Sequence, residues 1–432
     1  MQGKSQLHAP TFVTTWSPQN VPITMLLLLL SIIFLFLLLI FAAPKACAQI
    51  YQPLVYFNGG DAGGHPASTL VMDKAGNLYG STRCGGSRQG WCDPYGGCGA
   101  VYRVRRTNQG WHLEGLYMFN ARDGGFGNGG EDTSTQVVVG PDSTPYGTTM
   151  YGGDMISVWG VGYGTVFNLK PRSSSLGHWR ENVIHTFQKV PWEDGWFPNV
   201  YDRLVFDPQG VIFGTTITGT VYQLVHSEHG WTETILYRFV NQCSLSGVVL
   251  DNAGNLYGTT ECGGYGAGLV FQLIPSQNGW TKRDVYVFTG REGGIRPRTG
   301  VIFDSVGNLY GTTESSVYML TPSNREWNFT LLHTFDSSEV TRAGLAIDSA
   351  GNLYGTTLPM SNGCGRVFKL SRANDKWTYS TLHAFTGDQD GCDPDLAGVF
   401  VDANGNVYGT TFTGGRGFCI FGGCGVVFKI TP

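Results

Sequence analysis

Hydrophobic and polar positions recur in a fixed order along the chain. Each unit opens with a short apolar run that ends in a polar residue, as in GVVLD, which ends at Asp251. A turn leads into the heptad Gly-Asn-Leu-Tyr-Gly-Thr-Thr, present at 254–260, 307–313 and 351–357. After a Gly-rich stretch comes a second apolar run, such as LVFQL (269–273), and then a run opening with Trp. Apolar and aromatic runs between such turns are typical of short strands, so each unit predicts four strands, A to D.

The unit occurs seven times. Variants of the heptad stand at 76–82, 143–149, 210–216 and 405–411. A repeated four-stranded unit is the signature of a β-propeller, so we predict an all-β, seven-bladed propeller of four-stranded blades. Blades 1 to 7 are anchored, in this order, at the heptad aromatic residues Tyr79, Tyr146, Phe213, Tyr257, Tyr310, Tyr354 and Tyr408.

The two ends of the repeat predict how the ring closes. The chain ends on a strand C at 426–430 and has no Trp-led strand after it. An unassigned apolar run, 52–57, precedes the first strand A. We therefore predict that this N-terminal strand completes the last blade as its strand D, which removes two open sheet edges.

The heptad itself is interpreted as structural. The sequence Asp-x-x-Gly-Asn fits a type I turn with a left-handed Gly, and the Asp side chain can accept backbone N–H bonds there. Two units depart from the pattern. One places Pro145 at the start of strand B, and the other has Val211 and Phe213 in place of Asn and Tyr, so we expect blades 2 and 3 to be irregular.

Units of the form G-N-L-Y-G-T-T, then G-G, then G-x-V-F-x-L resemble the GloVer tandem repeat of bacterial exported proteins. The resemblance covers nearly all of 68–432. It implies an exported, propeller-like protein and carries over no catalytic residues.

The first 48 residues differ from the repeat. Residues 25–43 read MLLLLLSIIFLFLLLIFAA, without a charge, and Ala46-Cys47-Ala48 follows as a small-residue cleavage pattern. The run is also about long enough to span a bilayer. We predict that residues 1–48 are a signal peptide or an N-terminal membrane anchor, and that 49–432 form the propeller in an extracytoplasmic location. The membrane would be a partner only through residues 25–43, if they are retained.

Charge and motifs exclude several function classes. The formal net charge is −4 and no basic cluster stands out, so nucleic acid is not expected as a partner. The sequence has no G-x-S-x-G, HExxH or phosphate-loop motif. We expect a monomer and no organic cofactor.

Length variation falls on one predicted face. The D–A and B–C loops share a face, and the long ones are 82–99, 119–134, 149–164, 188–200 and 411–425, in blades 7, 1, 2 and the entry to 3. Exposed aromatic and acidic residues suit sugar stacking or protein contact. The alternative is that these loops pack on themselves. The candidate binding residues are Trp91, Trp159, Trp192, Glu193, Asp194 and Trp196.

One loop has closely spaced carboxylates that could hold calcium. The spacing is not that of an EF-hand, and a turn whose side chains bond the backbone is the alternative. These candidate ligands are Asp388, Asp390, Asp393 and Asp395.

The cysteines after residue 48 are expected to form disulfides, because exported proteins fold in oxidising compartments. No C-x-x-C pair supports zinc. Cys84 is left over. The predicted bridges are Cys92–Cys98, Cys243–Cys262, Cys364–Cys392 and Cys419–Cys424.

These observations favour an exported, non-catalytic propeller for ligand recognition or surface scaffolding, which binds an unknown glycan or protein through the loop face over blades 7, 1, 2 and 3. The first alternative is a carbohydrate-active hydrolase or lyase that uses loop carboxylates. The second is a purely structural envelope protein. Carboxylates available to an enzyme are Asp123, Glu131, Asp132, Asp154, Glu193 and Asp194.

Overall fold

Strand B of every unit lies between strands A and C in an antiparallel sheet, and seven such sheets form a seven-bladed β-propeller. Five of the sheets have four strands, and the sheets of blades 1 and 6 have a short fifth one. The computed structural model describes the following residues: 49–85, 96–120, 136–153, 162–172, 179–188, 195–199, 203–239, 244–290, 293–324, 326–360, 363–374, 376–394, 397–419 and 422–432.

All named elements of this part of the chain are strands. β1 is Ile50–Tyr56. Blade 1 has β2 (Gly64–Pro66), β3 (Val71–Met72), β4 (Leu78–Cys84), β5 (Ala100–Thr107) and β6 (Gly110–Met118). Blade 2 has β7 (Val137–Val139), β8 (Pro145–Thr149), β9 (Thr165–Pro171) and β10 (Trp179–Thr186). Blade 3 has β11 (Val205–Phe206), β12 (Ile212–Thr215), β13 (Thr220–Ser227) and β14 (Gly230–Arg238).

The remaining blades repeat this order. Blade 4 has β15 (Val249–Leu250), β16 (Leu256–Thr260), β17 (Leu269–Ser276) and β18 (Gly279–Val287). Blade 5 has β19 (Ile302–Phe303), β20 (Leu309–Thr313), β21 (Ser316–Ser323) and β22 (Glu326–Thr334). Blade 6 has β23 (Glu339–Val340), β24 (Ala346–Ile347), β25 (Leu353–Pro359), β26 (Arg366–Ala373) and β27 (Lys376–Ala384). Blade 7 has β28 (Val399–Val401), β29 (Val407–Thr411) and β30 (Val426–Thr431).

The last blade takes its fourth strand from the start of the propeller. β1 pairs antiparallel with β30, with Gln52 opposite Lys429 and Tyr56 opposite Val426. The order β1-β30-β29-β28 confirms the predicted closure. Residues 49–432 accordingly form one compact unit.

The heptad turn is held by one Asp side chain. Oδ1 of Asp73 accepts the N–H groups of Ala75 and Asn77, each at 2.9 Å. Oδ2 accepts Asn77 Nδ2 at 2.8 Å and the Tyr79 hydroxyl at 3.0 Å. The Asn and Tyr of the heptad therefore secure the turn that precedes them. Gly76 has φ +82°, a left-handed conformation that suits Gly because it lacks a Cβ.

The second Gly of the heptad lies under an aromatic ring of strand C. A Cβ built on Gly258 would be 2.7 Å from Cζ of Phe271, and one on Gly311 would be 2.3 Å from the hydroxyl of Tyr318. Both rings are fully buried. Only Gly leaves room for this packing, which recurs in every blade.

The Thr residues that end strand B bind neighbouring loops. Thr259 Oγ1 donates to the carbonyls of Pro297 and Thr299 of the next blade, at 2.9 and 3.0 Å. Seven hydrophobic clusters lie between adjacent blades. The heptad therefore builds the scaffold, as the sequence indicates.

Blades 2 and 3 keep the regular four-stranded order, so the expectation of irregular blades was wrong. Pro145 is the first residue of β8, a position where a missing N–H is tolerated. Ser143 takes the left-handed conformation of the absent turn Gly, with φ 63°. In blade 3, Asp207 still accepts the N–H groups of Gln209 and Val211.

Residues 1–48, including the apolar run 25–43, lie outside the described residues. Within the described part, no helix has the length and apolar character needed to cross a membrane.

Candidate functional site at the loop face

The D–A and B–C connections meet at one face of the ring, called the loop face below. Parts of its long loops, and five of the six candidate binding residues, lie outside the described residues. So do all six carboxylates named for an enzyme. The five binding residues are Trp91, Trp159, Trp192, Glu193 and Asp194.

Trp196 is the one described member of the candidate binding set. Its side chain is half-buried, and its ring lies 5.3 Å from that of Tyr163, between blades 2 and 3. The backbone N–H of Trp196 donates to Oγ1 of Thr218 at 2.8 Å. Trp196 therefore packs within its loop, as the self-packing alternative expects, while part of its surface stays accessible.

Loops of consecutive blades are joined by the same backbone hydrogen bond in four blades. In four blades a non-Gly residue before Pro has a positive φ, between 54° and 60°. Its N–H donates to a carbonyl in the B–C loop of the preceding blade, at 2.8–3.1 Å. Such conformations cost about 1–3 kcal/mol each and persist only where the surroundings hold them. The four residues are His65, Phe197, Arg296 and Asp393.

Disulfides pin the same loops. Cys364–Cys392 joins the B–C loop of blade 6 to the D–A loop of blade 7, and Cys419–Cys424 closes a small loop in blade 7. Both were predicted. Cys98 and Cys262 are also disulfide-bonded. Their predicted partners, Cys92 and Cys243, lie outside the described residues. Cys84, a buried thiol, is the last residue of β4 rather than a loop residue.

The candidate calcium ligands make bonds within their own turn and to its neighbours. Asp390 accepts the N–H of Thr386 at 3.0 Å and lies 3.0 Å from Nε2 of His383. Asp393 accepts the Thr413 hydroxyl at 3.0 Å, and its burial raises its pKa. The described residues contain no group of three or more His, Cys, Asp or Glu placed to hold a metal ion. The bond from the Thr386 N–H is of the kind expected for a turn whose side chains bond the backbone, and the other two contacts join side chains. The Asp388 carbonyl accepts the N–H groups of Gly391 and Gly415, and Asp395 lies outside the described residues.

A channel of about 700 Å³ runs along the innermost strands, lined by residues of all seven blades. Most of its wall is apolar or backbone. The described lining residues with charged side chains are Arg203 at the loop-face end and Asp73 and Lys74 at the opposite end. Asp73 is already engaged in its turn.

The loop-face end of the channel is called the channel mouth. It is formed by the residue that precedes the first apolar residue of strand A in each blade. Blades 4 to 7 have Gly at this position, whereas blades 1, 2 and 3 have polar side chains. The seven residues are Thr69, Gln136, Arg203, Gly247, Gly300, Gly344 and Gly398.

Two of the polar residues form a continuous rim. Oε1 of Gln136 accepts the backbone N–H of Thr69 at 2.9 Å, which ties blade 2 to blade 1. Gln136 is buried, and Arg203 is half-buried. A Cβ built on Gly398 would be 3.3 Å from the Thr69 hydroxyl. The mouth is therefore asymmetric, with hydrogen-bonding side chains on one side and bare Gly backbone on the other.

The channel mouth is not among the sites predicted from the sequence. Its signal was present, because T-L-V-M-D, Q-V-V-V-G and R-L-V-F-D stand where the other units begin with Gly. The polar residues fall in three consecutive blades, the same ones that carry or adjoin the long loops.

No protein-family model matches the chain, and no curated protein matches it. The resemblance to the GloVer repeat therefore stays a prediction.

Two of the solved structures that share the fold are described here. Streptogramin B lyase superposes with a TM-score of 0.52 at 10% identity, over 89% of this chain and 97% of the lyase. A protein described as the extracellular domain of a hybrid two component system from B. thetaiotaomicron has a TM-score of 0.55 at 12% identity, over 88% of this chain. The match spans 39% of that protein's length. At these identities the likeness supports the propeller fold alone.

Proposed function

We propose that residues 49–432 are an exported, non-catalytic recognition module that binds a glycan at the loop face over blades 7, 1, 2 and 3. The observation that carries the proposal is the break in the repeat at the channel mouth. A purely structural ring would have no need for Thr69, Gln136 and Arg203 on one side and Gly on the other.

The size of the channel favours a small ligand group over a flat protein surface. Small-molecule sites in proteins occupy about 300–1,000 Å³, and a channel of about 700 Å³ falls in this range. The end residue of a glycan fits such a space, and the long loops around the mouth can contact the rest of the chain.

Disulfides support export. The chain has the bridges Cys364–Cys392 and Cys419–Cys424. Disulfides form and persist in oxidising compartments and are rare in cytosolic proteins. They also hold the loop face in one shape, which reduces the entropy lost on binding.

Catalysis is the competing function. Streptogramin B lyase shares the propeller fold and is an enzyme by its name, so the fold is compatible with catalysis. Among the described residues, the channel mouth carries an arginine, an amide and a hydroxyl, and no carboxylate or histidine that could act as a general base. This donor set is suited to binding.

A glycan array probed with residues 49–432 tests the proposal. We expect specific binding without turnover of the bound glycan. Trp192→Ala and Trp196→Ala together should weaken it at least tenfold without changing the circular dichroism spectrum. A silent array would contradict the proposal, and release of cleaved glycan would establish the enzyme instead.

A further inference from the structure

The side chains along the channel are sorted by polarity. Polar residues stand at both ends, among them Thr69 and Gln136 at the mouth and Lys74 and Ser143 at the opposite end. Between these ends, every described side chain that lines the channel belongs to Val, Leu, Ile, Met or Phe. This middle part is called the throat below, and it is represented in blades 1 to 5 by Met72, Val138, Val205, Val249 and Ile302.

An apolar wall is not required by the strands that form it. Thr favours strands as Val does, and the heptad ends in Thr in every blade, so the chain uses a polar residue that is suited to strand A. No described residue of the throat is Thr. The apolar wall therefore indicates what the channel holds.

The throat side chains keep part of their surface open to the channel. Val205, Val249 and Ile302 are half-buried although they lie on the innermost strands of the ring. Contact between apolar surface and water is unfavourable, and an apolar group that displaces this water gains free energy in proportion to the area covered. The throat is thus matched to an apolar group, and the two ends are matched to polar ones.

The dimensions of the channel define the shape of that group. Strand A from Thr69 to Asp73 covers four residue steps, about 13 Å of extended backbone. A channel of about 700 Å³ over this length is longer than one aromatic ring and suits an alkyl chain. At the mouth, the side chains of Thr69 and Gln136 can form hydrogen bonds to a polar group attached to that chain.

We propose that the throat binds an alkyl chain attached to the end of the glycan that the loop face recognises. The ligand class is an amphiphilic glycan, with its sugar at the channel mouth and its alkyl chain against Val138, Val205 and Val249. This inference rests on the proposed function, since it names the group that accompanies the glycan at the same site.

Isothermal titration of residues 49–432 with methyl, butyl and octyl β-D-glucoside, each below its micelle concentration, tests the proposal. The three probes differ only in the alkyl chain. We expect the affinity to rise about two- to fourfold for each added methylene, so that octyl glucoside binds at least about tenfold more tightly than butyl glucoside. Methyl glucoside, which has no chain to bury, should bind most weakly.

A polar throat should lose this preference. Val138→Thr, Val205→Thr and Val249→Thr together exchange a methyl group for a hydroxyl at three positions of the wall. This throat variant should bind octyl glucoside at least about tenfold more weakly and show little dependence on chain length, because the hydroxyls lose water when the chain enters. If the combined variant does not unfold cooperatively, each single substitution serves as the test, with an expected loss of about two- to fourfold.

A matched control makes the same exchange outside the channel. It combines Val183→Thr, Val225→Thr and Val306→Thr, three exposed positions, and should leave the affinity for octyl glucoside unchanged.

Absence of octyl glucoside binding, or an affinity equal to that of butyl glucoside, would overturn the inference. Binding of octyl glucoside that the throat variant leaves unchanged would overturn it as well. Glycan-array binding without any dependence on chain length would leave the proposed function standing and refute only the apolar site. Dependence on chain length that the throat variant removes, together with a silent array, would support the throat and refute glycan recognition.

Discussion

The Tyr310 hydroxyl donates a 3.0 Å hydrogen bond to Oδ2 of Asp304, six residues before it in the same hairpin. The same bond joins Tyr79 to Asp73 and Tyr354 to Asp348. It explains why the heptad keeps Tyr at its fourth position, and it makes the A–B turn a preformed part of every such blade.

Removal of this hydroxyl should destabilise the propeller. Tyr310→Phe leaves the ring in place but deprives Asp304 of a donor, and we expect a loss of about 1–2 kcal/mol in the free energy of unfolding. Urea denaturation measures it. Phe213 occupies the same position in blade 3 without a hydroxyl, so the turn at Asp207 shows that the hairpin can form without this bond. An unchanged stability in Tyr310→Phe would mean that the bond is not formed in solution.

The turn carboxylates should make stability depend on acid pH. Burial alone would raise the pKa of Asp304, but hydrogen bonds from Asn308 and Tyr310 outweigh it and hold the pKa below the ordinary 3.8. The folded state thus favours the ionised form. Stability from this group is complete above 3.8 and is lost as the pH falls through the lower, folded value. Urea midpoints between pH 2 and 6 should show this loss, and Asp304→Asn should reduce the slope.

The heptad tyrosines predict the opposite trend at alkaline pH. Burial, and then the charge of Asp304, raise the pKa of Tyr310 from 10.0 to about 12. Stability from the neutral phenol is present below pH 10 and is lost as the pH rises towards 12. The difference in 295 nm absorbance between wild type and Tyr310→Phe isolates this tyrosine, and it should show ionisation only together with unfolding. Ionisation near pH 10 in the folded protein would contradict the buried bond.

Ring closure should depend on Phe57, which follows β1. Phe57 is fully buried, and its ring lies 4.9 Å from that of Tyr102 in blade 1. Phe57→Ala should cost about 3–5 kcal/mol through the lost contacts and the cavity. Gln52→Ala, an exposed position in the same strand, should change stability by no more than about 0.5 kcal/mol. Equal effects of the two variants in thermal unfolding would argue against closure by this strand.

The disulfide between blades should stabilise more than the one within a loop. Cys364–Cys392 spans 28 residues and Cys419–Cys424 spans 5. Loop entropy gives about 3–4 kcal/mol for the first and about 2 kcal/mol for the second. Urea denaturation of the paired Cys→Ser variants checks the order. Non-reducing peptide mapping that found neither bridge would refute both assignments.

Much of the fold could be predicted because the same strand pattern occurs seven times along the chain. Seven copies of one pattern fix strands B and C, and the missing strand D after 426–430 predicts the closure seen between Gln52 and Lys429. The Cys364–Cys392 bridge could be predicted because its two residues lie in loops of neighbouring blades, and Cys419–Cys424 because both residues lie in one short loop.

Other features could not be predicted because the local sequence argues against them. A non-Gly residue before Pro is expected to have extended backbone and rarely has a positive φ. Phe197 and Arg296 nevertheless have one, because each is hydrogen-bonded to the loop of the preceding blade. The segment Gly64–Pro66 has no strand pattern, but it pairs with the extended end of β4. Arg203 was overlooked for a different reason, since its meaning depends on the Gly that replaces it in other blades.

We propose the asymmetric channel mouth as the ligand-binding site of the propeller. Thr69→Gly, Gln136→Gly and Arg203→Gly together would give blades 1 to 3 the residue that blades 4 to 7 already have. The direct measurement is isothermal titration of this variant and of wild type with the glycan that binds best on the array. If the mouth binds the ligand, the variant should melt as a cooperative propeller and bind at least a hundredfold more weakly. A folded variant with wild-type affinity would contradict it.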